Sequence, residues 1–155
     1  MMTRNVVCDT VIEKNNMWMI FEELLDTNES LEEACFILDE LQELIRKLPN
    51  TMRTNTKQDI AITNSVQILD DSLDKVMETT GVYFDEIEMK LDDIQKYLLR
   101  NYSDIHRCMQ LVSEVRCDQK YIDTLISNAE KEIYKFLETV DLYMQDRRKC
   151  DGRKK

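Results

Sequence analysis

The sequence has very little of the two residues that break helices and build tight turns. Its 155 residues include only two glycines and one proline, where average composition gives roughly 7% and 5%. Sandwiches, barrels and doubly wound sheets need frequent turns made from these residues, so the composition argues strongly against those folds. Because the chain is also 34% charged and 43% hydrophobic, we predict an all-α protein.

Long apolar runs are missing too. The longest uncharged apolar run is residues 17–21, far short of the ~18 residues that cross a membrane. Near the start, Asn5, Cys8 and Asp9 interrupt any apolar core of a secretory signal. The five cysteines are odd in number and form no C-x2-C pair, which argues against disulfides and a zinc site. We therefore expect a cytoplasmic protein with reduced thiols and no membrane span.

Residues that carry catalysis are equally scarce. His106 is the single histidine, so general acid–base or triad chemistry would have to depend on it. Cys108 lies two positions away and therefore points to another side of a helix. A di-iron site needs Glu-x-x-His on two helices, and two distant glycines cannot build a phosphate-binding loop. The sequence thus predicts no catalytic residues, no metal site, no cofactor and no small-molecule substrate.

Charge is distributed unevenly along the chain. Residues 22–93 contain 19 acids and 6 bases, whereas residues 94–155 contain 13 bases and 10 acids. Acidic pairs such as Asp70–Asp71 fall between the apolar rows and are expected on a solvated face. The acidic body argues against nucleic acid as its main ligand. The basic C-terminal end is either a solvated tail or a contact for an acidic polymer surface through Arg147, Arg148, Lys149, Arg153, Lys154 and Lys155.

Hydrophobic periodicity predicts a first helix over residues 10–48, after a flexible N-terminus at residues 1–9. Its apolar residues alternate at spacings of three and four, which places them on one helix face. Ser30 and Glu33 form a candidate capping box, so a break near residue 28 stays open as an alternative.

The first helix is expected to end at Pro49, because the ring of a proline disfavours helical geometry in the residue before it. Residues 49–56 are then a loop. A long helical segment follows over residues 57–146, with a basic tail at residues 147–155. Its apolar stripe is wider than a two-stranded seam, which indicates more than one neighbouring helix.

Two places in the long segment are candidate bends. Gly81 costs about 1 kcal/mol of helix propensity against alanine. Asn101 lies in the apolar row, where it either fixes the register of a coiled coil or marks a break. Ser103 and Asp104 beside it favour the break.

The apolar stripe of the long segment must be buried, and the first helix covers less than half of it. Either the long segment folds back on itself or another chain covers the remainder. We predict an elongated helical hairpin or coiled coil. Trp18 is weighed equally as a core anchor and as an interface residue. The predicted partner-binding seam is Met17, Trp18, Leu24, Leu31, Leu38, Leu41, Ile45, Val66, Leu73, Ile87, Leu91, Ile94, Leu98, Ile105, Val112, Ile122, Ile126, Ile133, Phe136 and Val140.

These features predict a non-catalytic coiled-coil subunit of a hetero-oligomeric intracellular complex whose partners are other coiled-coil subunits. A cytoskeletal, microtubule or spindle assembly is ranked first, because the basic end could approach an acidic polymer. Two alternatives stay open. One is a subunit of an organelle-biogenesis or vesicle-trafficking complex. The other is a self-contained four-helix adaptor, with turns at Gly81 and near Asn101 or Asp118.

Overall fold

In a computed structural model, the described residues of the chain form three long helices. The structure describes the backbone of residues 2–51, 57–100 and 105–153, and the side chains of residues 15–48, 60–100 and 105–145. The helices are α1 (Met2–Thr51), α2 (Lys57–Leu99) and α3 (Ile105–Arg153). No strand occurs in these ranges. The all-α prediction is confirmed.

Helix α1 is longer than the periodicity indicates. It begins at Met2, inside the segment expected to be a flexible N-terminus, and it ends at Thr51, two residues past Pro49. Residues 2–48 contain neither glycine nor proline, so each added residue gains a backbone hydrogen bond once the helix has formed. The helix thus ends three residues past the predicted end at residue 48, and residues 49–51 of the predicted loop are helical. Pro49 lies in the last turn, where the loss of one backbone donor does not end the helix.

The break considered near residue 28 does not form. Helix α1 is continuous there, and the Asn28 side-chain amide donates to Glu32 Oε1 at 3.2 Å. This contact joins residues four apart, which face each other only in a helix. The polar side chain therefore supports the helix instead of competing with its backbone.

The long segment predicted over residues 57–146 is two helices. Helix α2 passes through Gly81 without interruption and ends at Leu99, where the Arg100 amide donates to the Lys96 carbonyl at 3.1 Å. Helix α3 continues past residue 146 into the expected basic tail. Asn101 lies outside the described residues, between the two helices. Since Gly81 and Asp118 are both helical, the four-helix alternative is not the arrangement seen.

The helices build two compact units. Unit 1 contains Met1–Glu33 and Thr80–Asp123. In it the N-terminal parts of α1 and α3 pack with the C-terminal part of α2, so α2 is antiparallel to both. The side chains of Ile87, Ile94, Val115 and Ile122 have exposures of 0% and form its centre.

Unit 2 contains Ala34–Thr79 and Thr124–Lys155. It combines the C-terminal parts of α1 and α3 with the N-terminal part of α2. Leu38 and Leu73, with exposures of 2% and 1%, lie in its core with Ile133. Each unit is therefore a three-helix bundle with an apolar core of its own.

Candidate partner-binding surfaces

Most of the predicted partner-binding seam is buried within the chain. Its neighbours are the other helices of the same unit, so contact with a partner through these side chains would require the bundle to open. The seam residues in the core are Met17, Leu24, Leu31, Leu38, Ile45, Val66, Leu73, Ile87, Leu91, Ile94, Leu98, Val112, Ile122, Ile126, Ile133 and Phe136.

Four seam residues are half-buried: Trp18, Leu41, Ile105 and Val140. Trp18 contacts Phe21 edge-on, with ring centroids 5.9 Å apart, and so anchors unit 1 while part of its indole stays accessible. The side chains of the basic residues from Arg147 onward lie outside the described residues. The predicted contact of this end with an acidic surface therefore stays a prediction.

The histidine and cysteine side chains considered for catalysis differ in solvent exposure. His106 is exposed, whereas Cys108 is 1% exposed, and burial raises the pKa of its thiol. Cys35 is also buried, and Cys117 is exposed. A thiol with a raised pKa is a poor nucleophile because little of it is thiolate.

A polar cluster joins α1 to α2 in unit 2. Gln42, only 2% exposed, donates from Nε2 to Asp74 Oδ1 at 2.6 Å and to Asp70 Oδ1 at 3.0 Å. The Arg46 guanidinium bridges the same two carboxylates, with Nε 2.6 Å from Asp70 Oδ1 and Nη2 3.0 Å from Asp74 Oδ1. The hydrogen bond to Asp70 is the main cause that raises the pKa of Arg46.

The same cluster bears on metal binding. Carboxylate oxygens of Asp70, Asp71 and Asp74 lie within 4.8 Å of one another. Asp70 was expected on a solvated face, yet its side chain is only 15% exposed. Because Arg46 and Gln42 already donate to Asp70 and Asp74, the arrangement serves to pair two helices.

Polar contacts also join α3 to its neighbours in unit 1. Lys90 Nζ of α2 lies 2.9 Å from Asp118 Oδ2 and 3.9 Å from Glu114 Oε2. The hydrogen bond to Asp118 is the main cause that raises the pKa of Lys90. On the side of α3 toward α1, buried Gln119 donates to the Leu24 carbonyl at 2.9 Å.

The sequence analysis missed Gln42 and Gln119 as contact residues, although their positions carry a signal. Gln42 falls four residues after Leu38, and Gln119 falls four residues after Val115, so each interrupts an apolar row. A polar residue in such a row must find a hydrogen-bond partner when it is buried. That rule indicates burial with a partner but does not tell which helix supplies it.

Exposed apolar side chains of unit 2 include a group on α1 and α3. Gln42 and Arg46 mark the flank of α1 that faces α2, and the helical period places Ile37 and Leu44 on the opposite flank. The Ser72 hydroxyl of α2 donates a hydrogen bond to Glu132 Oε2 of α3 at 2.9 Å, so this flank of α3 faces α2. The opposite flank of α3 therefore borders α1. We call this surface the α1–α3 face: Ile37, Leu41, Leu44, Tyr134, Leu137 and Met144.

A groove with a different character lies between α1 and α2 in unit 1. Its volume is about 790 Å³, and its lining includes four apolar side chains and four carboxylates, with no lysine or arginine among the lining residues that the structure describes. We call it the acidic groove: Phe21, Leu25, Asn28, Glu32, Asp85, Glu88, Met89, Leu91, Asp92 and Gln95.

Comparison with known proteins yields no relative: no family model, no curated protein and no solved structure matches the chain. A search of the described residues for a membrane span finds no stretch of helix with the necessary length and apolarity.

Proposed function

We propose that the chain is a non-catalytic helical subunit of a hetero-oligomeric complex, and that it binds a helix of another protein through the α1–α3 face. The observation that supports the proposal is the exposure of large apolar side chains there: Ile37 is 55% exposed, Leu44 60% and Tyr134 67%. Single exposed apolar residues are ordinary. Apolar residues along two adjoining helices are typical of an interface.

The spacing of the side chains favours a helical partner. Ile37, Leu41 and Leu44 follow one another at four and three residues along α1, and Tyr134 and Leu137 are three apart on α3. Two such rows on adjoining helices offer a groove between side-chain ridges into which the ridge of another helix can pack. A partner helix in this groove would complete a four-helix bundle, as subunits of a shared bundle do.

The charge of the chain favours a partner of another kind over a second copy. At pH 7 the formal net charge is −10, so two copies repel each other. A partner with a neutral or basic helix avoids this cost. The α1–α3 face is therefore assigned to a hetero-complex.

The test compares two double variants of the tagged full chain, expressed in its native cells. Ile37→Asp with Leu44→Asp places two carboxylates on the α1–α3 face. Ile60→Asp with Ile68→Asp is the matched control, because both of these isoleucines are exposed on α2, at 56% and 72%. Helix content by circular dichroism checks that both variants fold.

Quantitative mass spectrometry of the co-purifying chains decides the outcome. We expect the Ile37/Leu44 variant to lose a defined set of chains that the wild type and the control retain. Equal retention by all three proteins would contradict the proposal. A dimer of the isolated wild type that the Ile37/Leu44 variant abolishes would assign the face to a second copy instead.

Within this class, a cytoskeletal or spindle assembly is the first hypothesis, ahead of an organelle-trafficking complex. The support is the charge asymmetry between the acidic residues 22–93 and the basic end that starts at Arg147. Co-sedimentation with polymerised microtubules tests it. We expect substitution of Arg147, Arg148 and Lys149 by serine to reduce pelleting, while serine at Arg116, Lys131 and Lys135 leaves it unchanged. A wild-type chain that stays in the supernatant would contradict the hypothesis.

A further inference from the structure

We infer that the acidic groove of unit 1 binds a basic amphipathic helix, a partner surface separate from the α1–α3 face. The groove combines two features that such a helix requires: accessible apolar side chains and carboxylates in the same lining. The acidic groove and the α1–α3 face share no side chain, so binding at one does not depend on binding at the other.

Part of the groove lining is accessible apolar area. Met89 is 71% exposed and Leu25 is 43% exposed, and both line the groove beside Phe21 and Leu91. Removing such side chains from water stabilises a complex by roughly 25 cal/mol for each Å² of apolar area. The apolar side of a partner helix would supply that burial.

The charged side chains in the described part of the groove lining are all acidic. Glu32 lies on α1, and Asp85, Glu88 and Asp92 lie on α2. Asp92 pairs with Lys96 at 3.2 Å, but this pair is exposed on both sides and is screened by water and salt. Asp85 and Glu88 form no hydrogen bond or ion pair with another described side chain. A lysine or arginine of a partner would therefore meet carboxylates that are free to pair.

The dimensions fit about three turns of helix. The lining residues of α1 run from Phe21 to Glu32, and those of α2 run from Asp85 to Gln95. At 1.5 Å per residue these stretches extend roughly 15 Å. Two helices that border the groove over this length match a partner helix that lies along it. The partner would present apolar residues inward at every third or fourth position and basic residues on both sides.

Charge also excludes other classes of ligand. Phosphates of nucleic acid and of lipid headgroups are repelled by the four carboxylates of the lining. The occupant is therefore cationic and partly apolar, which in a macromolecule describes a basic amphipathic helix.

Fluorescence anisotropy tests the inference with the full chain and two labelled synthetic helical peptides. One peptide carries leucines at positions spaced by three and four with lysines on both sides. The other is identical except that glutamates replace the lysines. We expect the lysine peptide to bind in the micromolar range or tighter, and the glutamate peptide to show no saturable binding.

Charge reversal locates the bound peptide. Asp85→Lys with Glu88→Lys should weaken binding of the lysine peptide at least tenfold. Glu78→Lys with Asp93→Lys changes the net charge equally on the same helix, outside the groove lining, and should weaken it less than twofold. Met89→Asn should weaken it several-fold without a change of charge.

Three results would overturn the inference. The first is no binding of the lysine peptide. The second is an equal loss in the two charge-reversal variants, which would mean general attraction to an acidic protein. The third is that a peptide with residues 139–155 of this chain binds more tightly than the lysine peptide, which would assign the groove to a second copy. The Ile37/Leu44 variant should bind the lysine peptide normally, so failure of this inference and failure of the proposed function are distinguishable.

Discussion

The side-chain amide of Gln119 donates a hydrogen bond to the backbone carbonyl of Leu24, with Nε2 and the oxygen 2.9 Å apart. The two residues are 95 positions apart in the sequence. Gln119 is 5% exposed and Leu24 is 3% exposed, so the bond lies in the core of unit 1. It fixes the position of α3 against α1 at one residue.

Two substitutions at Gln119 separate this role from general packing. We expect Gln119→Leu to change the free energy of unfolding by less than about 1 kcal/mol, because an apolar side chain of similar size leaves no buried donor unpaired. Gln119→Glu should cost about 3 kcal/mol at neutral pH, because it places an unpaired carboxylate beside a carbonyl oxygen. Urea unfolding measures both changes. Equal effects of the two substitutions would mean that the site is open to water.

The ion pair between Lys90 and Asp118 gives a pH-dependent prediction. The pair raises the pKa of Lys90 above its usual 10.5, so its contribution is complete below that value and is lost as the pH rises through the raised pKa. We expect Lys90→Met to cost about 1 kcal/mol between pH 7 and 9, with the difference from wild type shrinking above about pH 10.5.

The exposed pair of Lys96 with Asp92 is the control for this experiment. Both of its side chains are more than half exposed, so Lys96→Met should change stability by no more than a few tenths of a kcal/mol. A difference between wild type and the Lys90 variant that stays constant up to pH 12 would contradict the assigned pairing.

Gly81 offers a stabilising substitution. The residue is exposed within α2 and its φ is not positive. Apart from the adjoining residues and the backbone of the same helix, no atom lies within 4 Å of the place where a Cβ would stand. We expect Gly81→Ala to raise the free energy of unfolding by about 0.5–1 kcal/mol, the difference in helix propensity. Thermal unfolding by circular dichroism measures it. A lower melting temperature would show that the helix does not continue through this position.

The three described cysteines should differ in reactivity. In a Cys8→Ser, Cys150→Ser background, a thiol reagent should modify exposed Cys117 quickly. It should reach Cys35 and Cys108 only as fast as the bundle opens, because both thiols are buried. Mass spectrometry of digested samples follows each site in time. Equal rates at the three sites would contradict their burial.

The periodic spacing of apolar residues predicted much of this fold, because a helix with one dry face needs an apolar residue every three or four positions. It identified Leu73, Ile87 and Ile94 as buried, and they are. The pattern predicts that a helix face is buried, but it does not predict which helix covers that face. For that reason it could not separate a seam for another chain from a core shared by α1, α2 and α3.

Local signals were a weaker guide to helix ends. Gly81 does not interrupt α2 because about 1 kcal/mol of propensity is small against the packing of neighbours such as Thr80 and Ile87, which are 2% and 0% exposed.

The apolar residues outside the heptad rows, Ile37 and Leu44 among them, cannot be identified as surface residues from the sequence. They stand out only when the structure shows that no described helix covers them.

The concentration dependence of unfolding tests the central claim most directly, namely that the seam is closed by helices of one chain while other apolar surfaces are left for partners. Urea unfolding of the isolated chain is followed by circular dichroism over a hundredfold range of protein concentration. A closed bundle predicts midpoints independent of concentration. Midpoints that rise with concentration, or a chain without folded helices when alone, would show that another chain completes the core.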